Sequence, residues 1–215
     1  MISHVVFDFD GTLADSPHLV VELYNEVARK QGFGEMTPEN LHLLRGLSVR
    51  ERSKQLGVPM HRLPGLMVQV ARAYRAVTSR VALHDGVPEL LRELRGRGMR
   101  VCVLSTNNEE NIRDVLRRYD LEAMVSRVYC SNRIFGKASL LRRLMHHESV
   151  PADQLVYVGD EQRDVDACRE VGVQVIAVSW GVDTLTRLQD ARPDWLVHTP
   201  EGISRVVATP HKAMV

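Results

Sequence analysis

Two aspartates separated by one phenylalanine, Asp8 and Asp10, stand where the strand-like run Val5-Val6-Phe7 enters a Gly11-Thr12 turn. One carboxylate at such a point can attack, and a second just beyond it can manage protons. Gly11 tolerates backbone angles that other residues avoid and lets a ligand approach the main chain. Amide hydrogens exposed at the turn can hold an anion. Further along, Val101-Cys102-Val103-Leu104 runs into Ser105-Thr106-Asn107-Asn108, a hydroxyl followed by small polar residues at the start of a helix. Helix starts of that kind attract anions. Lys137 opens another helix after Phe135-Gly136. Val156-Tyr157-Val158 ends in Gly159-Asp160, with Asp164 one helical turn further on.

Each feature has a plain reading on its own. Strands often end in acidic turns, a single lysine is usually a solvated charge, Asn108 can simply cap its helix, and acids in a first helical turn can do the same. Together they form a chemistry. Asp160 and Asp164, held against the upstream Asp-x-Asp, suit Mg²⁺, a hard ion that prefers oxygen and keeps several waters. Ser105, Lys137 and turn amides would neutralise the oxygens of a transferring phosphoryl group. A carboxylate nucleophile splits one hard displacement into two easier ones, and phosphoryl transfer depends mainly on positioning and charge stabilisation.

The elements that must position these residues follow from periodicity. Residues 1–13 read as a strand and its turn, 16–80 as helical throughout, and 84–215 as alternating strands and helices. In the helical part, Leu19, Leu23 and Val27 recur at helical spacing, Gly32 ends that helix, Thr37-Pro38 starts the next, and Ser48 to Glu51 resembles a capping box. Beyond it, strands are expected at Met99–Leu104, Val125–Cys130, Leu155–Val158, Val173–Val178 and Trp195–Val197, with helices between them. This predicts an α/β fold, a Rossmann-like parallel sheet with helices on both faces, plus a small helical domain inserted after the first strand. The expected domains are 1–15 with 81–215 as the core and 16–80 as the insert. Ligands of such sheets bind at the carboxyl ends of the strands, where every chemically suggestive residue falls.

Composition excludes other classes. The 215 residues are 44% hydrophobic with a net charge of +1, enough for a sizeable core and without a basic stripe for nucleic acid. Cys102, Cys130 and Cys168 are odd in number and widely spaced, which fits neither a disulfide framework nor a zinc site and points to a reducing compartment. No apolar stretch approaches the ~18 residues of a membrane span, and no signal peptide is visible. A cytoplasmic protein is expected, monomeric or homodimeric, that does not bind nucleic acid or membrane. His146-His147-Glu148 reads as a helix terminus, and Trp180 and Trp195 as packing.

The order and spacing of Asp8-Phe9-Asp10-Gly11-Thr12-Leu13, Ser105, Lys137 and Gly159-Asp160 with Asp164 resemble the haloacid dehalogenase superfamily of phosphohydrolases. The likeness is to its branch with a helical cap after the first strand, especially phosphoglycolate-phosphatase-like members, and spans essentially the whole chain. It implies a Mg²⁺-dependent phosphatase acting on a small phosphorylated metabolite through an aspartyl-phosphate. Asp8 would attack phosphorus and bind the metal. Asp10 would protonate the leaving group and then activate water, its backbone carbonyl ligating the metal. Ser105 and Lys137 would hold the phosphoryl group, Gly11 and Thr106 would offer amides, and Asp160 and Asp164 would complete the metal site. Many relatives carry the lysine in a Lys-Pro-x-Pro segment, where this chain has Phe-Gly-Lys-Ala-Ser. The cap would close over the site. Its Leu44–Arg50 stretch is the expected specificity loop, with Arg45 pairing to a substrate anion or, more plainly, complementing a helix end. Alternatives are a phosphomutase of the same superfamily, a receiver-type phosphate-accepting module, and a catalytically silent phosphate-binding protein.

Overall fold

The computed structural model describes residues 1–131 and 136–209; Phe135, expected beside Lys137, lies outside them. The chain opens with β1 (His4–Phe7) and passes a two-residue strand, β2 (Ala14–Asp15). It then runs helical through α1 (Pro17–Gln31), α2 (Pro38–Arg45), α3 (Val49–Gln55) and α4 (Leu63–Tyr74), followed by a 3-10 segment at Arg75–Arg80. A second short strand, β3 (Ala82–Leu83), brings it back. Alternation follows: α5 (Val87–Gly96), β4 (Arg100–Ser105), α6 (Glu109–Arg118), β5 (Arg127–Cys130), α7 (Lys137–Glu148), β6 (Leu155–Gly159), α8 (Gln162–Val171), β7 (Gln174–Val178), α9 (Leu185–Ala191), β8 (Trp195–Val197) and α10 (Pro200–Ala208).

Six strands form one sheet in the order β5-β4-β1-β6-β7-β8, every pairing parallel. Successive strand residues point to opposite faces, and both faces are buried. Val5, Phe7, Val103 and Val158 join one core with α5, α6 and α10, whereas Val6, Leu104 and Tyr157 join another with α7 and α8. Double burial explains why these strands read as continuous apolar runs. From β1 the chain builds β4 and β5 on one side, then crosses to β6 on the other. The tip of β1 is therefore the switch point of the sheet, where parallel α/β folds leave a crevice.

The expected sheet strands form with bounds shifted by a residue or two. The insert is helical as expected, α1 packing on α4, and Ser48 and Glu51 form the expected capping box at α3. β2 and β3 were not expected. They pair antiparallel and tie the two chain segments that lead into and out of the insert. Among the described residues no helix is long and apolar enough to cross a membrane, and the three cysteines are free.

Candidate active site

β1 ends at Phe7, so the turn, not the strand pleat, sets where Asp8 and Asp10 point. The Asp8 amide still donates to Val158 O on β6 (2.8 Å), which fixes its backbone against that strand. Phe9 O then accepts from the amides of Leu13 and Ala14 (3.0 and 2.9 Å), folding the chain back sharply. Gly11 sits in this turn at φ +81°, and a Cβ there would lie 2.3 Å from Asp160 Oδ2. A side chain at Gly11 would thus displace a carboxylate from the site. The Gly11 amide, expected to meet a phosphate, donates instead to Ala14 O (2.9 Å) and is consumed by the turn.

Asp8, Asp160 and Asp164 converge. Each offers a carboxylate oxygen within 4.8 Å of the others, and all three are buried. Lys137, at the start of α7, donates to both Asp8 and Asp164. Thr12 Oγ1 donates to Asp160 Oδ1 (2.8 Å) and the Val182 amide to Asp160 Oδ2 (2.7 Å). Asp164 also accepts the Glu161 amide (3.1 Å) as part of the capping box of α8. Helix capping and membership of the cluster coexist in one residue.

The Asp10 carboxylate belongs to a separate hydrogen-bond network. Its Oδ1 accepts from Ser16 Oγ (2.6 Å) and its Oδ2 from Asn107 Nδ2 (2.9 Å). Ser16 occupies the N-cap of α1 but makes no capping bond, its hydroxyl being diverted to Asp10. Asn107 Oδ1 accepts from the Asn108 amide (2.7 Å) and Asn111 Nδ2 (3.0 Å), so its NH₂ can only face Asp10. Asn111 also donates to Ala71 O on α4 (3.0 Å), joining this network to the insert. Ser105, buried at the tip of β4, accepts the Asn107 amide (3.0 Å), and Thr106 stands half-buried between them. Asn108 caps α6 as expected. The Tyr74 hydroxyl of α4 is buried beside Ser16 and Asp10. Burial, with the Asp10 charge adding, pushes that phenol far up. Trp180 is more than packing, since its indole donates to Thr12 O (3.1 Å) and props the turn.

The electrostatics are lopsided. Burial pushes Asp160 well above the usual carboxylate range, and Glu161, Asp8 and Asp164 push the same way. Burial also raises Asp164, against the pull of Lys137. Burial would lower Lys137, yet Asp164 and Asp8 outweigh it and the ammonium is held charged. Glu161 is buried too, but Arg163 and Arg52 keep it below its ordinary value. Three carboxylates thus stand beside one ammonium that pairs with only Asp8 and Asp164, whereas the neighbouring Glu161 is matched by arginines. Three hard oxygen donors, excess negative charge and a Cβ-free approach at Gly11 are what a small divalent cation needs. The donor set fits Mg²⁺.

The insert touches the site through arginines. Arg45, expected to face a substrate anion, donates to Val182 O (2.7 Å) and Gly181 O (2.6 Å) of the loop after β7. Arg52 of α3 pairs with Asp183, and Arg187 bridges Asp183 (3.2 Å) to Gly46 O (3.0 Å). Sequence spacing carried no sign of these partners. A cleft of about 310 Å³ opens beside Lys137, with Ser48, Arg50 and Arg52 on the insert side and Glu161, Arg163 and Asp183 on the core side.

A six-stranded parallel sheet with carboxylates at its switch point and a lysine paired to two of them marks an α/β protein with a ligand site at the carboxyl ends of its strands. The family model of haloacid dehalogenase-like hydrolases matches residues 5–178. The chain is 34% identical over 203 residues to the phosphoglycolate phosphatase of Synechococcus elongatus, covering 94% of this chain and 96% of that protein. It is 29% identical over 228 residues to the phosphoglycolate phosphatase of Xanthomonas campestris pv. campestris, covering 96% of each. A predicted phosphatase from Clostridium acetobutylicum superposes with a TM-score of 0.83 at 17% identity, over 97% of this chain and 99% of that one. The protein belongs to the haloacid dehalogenase-like hydrolase family.

Proposed function

We propose that the protein is a Mg²⁺-dependent phosphatase that hydrolyses a small phosphate monoester, 2-phosphoglycolate foremost, through a phosphoryl group carried on Asp8. The observation that carries this reading is the convergence of Asp8, Asp160 and Asp164 within 4.8 Å, with Lys137 paired to two of them. The 34% identity to a phosphoglycolate phosphatase supports the substrate.

In this reading Asp8, Asp160, Asp164 and the Asp10 carbonyl hold the cation. When bound, Mg²⁺ supplies charge neutralisation for the phosphoryl oxygens. Asp8 attacks phosphorus and the ester oxygen leaves, taking its proton from Asp10. Asp10 then takes a proton from water as it attacks the acyl-phosphate, which returns Asp8 and releases inorganic phosphate. Ser105, the Thr106 amide and Lys137 steady the transferring group, and Lys137 also screens Asp8. Ser16 and Asn107 aim Asp10.

Residues 1–15 and 81–215 act as the core, and 16–80 as a cap that shields the site from water. Arg45 is occupied by the core loop, so the specificity role moves along the same stretch to Arg50, which is exposed and lines the cleft. Free thiols fit a reducing cytoplasm. Phosphate release from a panel of small esters in Mg²⁺ tests the function. The expected result is highest kcat/KM for 2-phosphoglycolate, with Arg50→Ala raising KM for it more than for p-nitrophenyl phosphate. Absence of phosphate release from every ester would refute the reading.

A further inference from the structure

We propose that Arg45 and Arg52 of the helical insert are positioning residues for Asp160, so that docking of the insert sets the cation affinity of the carboxylate cluster. The inference rests on the reading of Asp8, Asp160 and Asp164 as cation ligands and adds a control acting on them from outside.

One peptide group links Arg45 to Asp160. Gly181 O accepts from Arg45 Nη2 (2.6 Å), and the amide at the other end of the same peptide, Val182 N–H, donates to Asp160 Oδ2 (2.7 Å). A trans peptide is planar and rigid, so a displacement of its oxygen displaces its N–H. The two bonds also form a chain, guanidinium to carbonyl and amide to carboxylate, in which each polarises the next. Arg45 Nε takes the adjoining carbonyl, Val182 O (2.7 Å). The planar fork of arginine suits such a double grip, and a lysine could not reproduce it.

The loop has no slack. A Cβ at Gly181 would lie 2.2 Å from Asp160 Cβ, so the backbone rests directly on the aspartate. Two residues on, the Asp183 amide donates to Asp160 O (3.3 Å). The Asp183 carboxylate accepts from the Gln162 amide (2.8 Å), from Arg187 (3.2 Å) and from Arg52 of the insert. Arg52 also donates to Leu47 O (2.9 Å), which anchors it in its own segment. Residues 181–183 are thereby gripped by two insert arginines on one side and by both backbone and side chain of Asp160 on the other. Linkage makes the effect reciprocal: if docking favours the cation, the cation favours docking by the same factor.

Isothermal calorimetry with MgCl₂ alone, on the full chain without substrate, tests this. Arg45→Ala is expected to weaken Mg²⁺ binding about fivefold, the low end of a typical coupling. Arg45→Lys keeps the charge but loses the fork, and is expected to fall between wild type and Arg45→Ala; it also serves if the alanine variant folds poorly. Equal Mg²⁺ affinity in wild type and both variants, even with a lower melting temperature, would make Arg45 a structural latch and overturn the proposal. A wild type that binds no Mg²⁺ would overturn it together with the proposed function. A wild type that binds Mg²⁺ with the expected loss in the variants, yet releases phosphate from no ester, would refute the function alone.

Discussion

Two buried charge clusters occupy opposite ends of the same sheet, and they are built on opposite principles. At the amino ends of the strands, Glu148 of α7 is one carboxylate among many donors. Arg100 reaches it at 2.8 Å, Arg127 at 3.5 Å, and the Tyr129 hydroxyl at 2.7 Å, with His4 3.9 Å away. At the carboxyl ends, Asp8 and Asp164 share Lys137, while Asp160 meets only the neutral donors Thr12 Oγ1 and Val182 N–H. Burial of charge is common to both, so burial alone does not mark a site. What separates them is balance: the first cluster is saturated and the second is short of positive charge. A fold keeps such a deficit where something cationic is to be bound.

The sharpest break between the clusters is catalytic. Asp8→Asn is expected to cut phosphate release from 2-phosphoglycolate by roughly 10⁴-fold or more, the scale of losing a nucleophile. Glu148→Gln should leave kcat within about twofold while costing about 1–3 kcal/mol of stability, a range held down by its half-exposed arginine partners. Steady-state kinetics and calorimetric unfolding read both variants. Comparable losses of activity in the two would erase the distinction.

Stability offers a second contrast, opposite in sign. Asp160→Asn removes a repelled carboxylate, and the amide can donate to Thr12 Oγ1 while its oxygen keeps the Val182 N–H. The metal-free variant is expected to melt about 2–4 °C higher than wild type at pH 8, where Glu148→Gln melts lower. A drop in both would show that the carboxyl-end cluster is not in deficit.

The pH dependence has a defined direction. Asp160 and Asp164 are raised in the fold, chiefly by burial, so the folded metal-free protein holds protons that the unfolded chain releases. Their contribution to stability is complete below the unfolded carboxylate range and is lost as pH rises through the raised values. Buried His4 and half-buried His84 are lowered by desolvation and act the other way, weakening the fold as pH falls. The difference made by Mg²⁺ is therefore the clean readout. Its increment in melting temperature should be larger at pH 8 than at pH 5, and an increment independent of pH would contradict the charge-deficit account.

The smallest expected effect refines the carboxyl end itself. Asn107→Ala frees one oxygen of Asp10 and should lower kcat about tenfold for an alkyl phosphate, whose leaving group needs a proton, and less for p-nitrophenyl phosphate. Equal losses on the two esters would remove Asn107 from the aiming of Asp10.

The two ends also differ in how far they can be read from the chain. The carboxyl-end residues announce themselves locally, because an apolar run followed by Asp-x-Asp-Gly-Thr or Gly-Asp must end a buried strand in a polar turn. The parallel sheet was legible for the same reason: its strands are buried on both faces and read as unbroken apolar runs. Glu148 reads as part of a helix terminus, because its partners Arg100 and Arg127 sit far off in sequence, on β4 and β5. Asn107 was one of four small polar residues in a row, and only the donors to its oxygen single it out. Arg45 was legible as a cation on the insert but not as the clamp of a loop near the far end of the chain. The Gly11 amide was legible as a turn group, yet the turn itself uses it. β2 and β3, two residues each, are too short for any period to show.

The proposed mechanism stands or falls with Asp8 as the carrier of the phosphoryl group. A single turnover of 2-phosphoglycolate with Mg²⁺, quenched in acid and examined by peptide mass spectrometry, tests it most directly. A phosphoryl adduct is expected on the peptide that holds Asp8 in the wild type and none in Asp8→Asn. Phosphate released at the same rate with no adduct at any quench time, or an adduct that persists in Asp8→Asn, would contradict it.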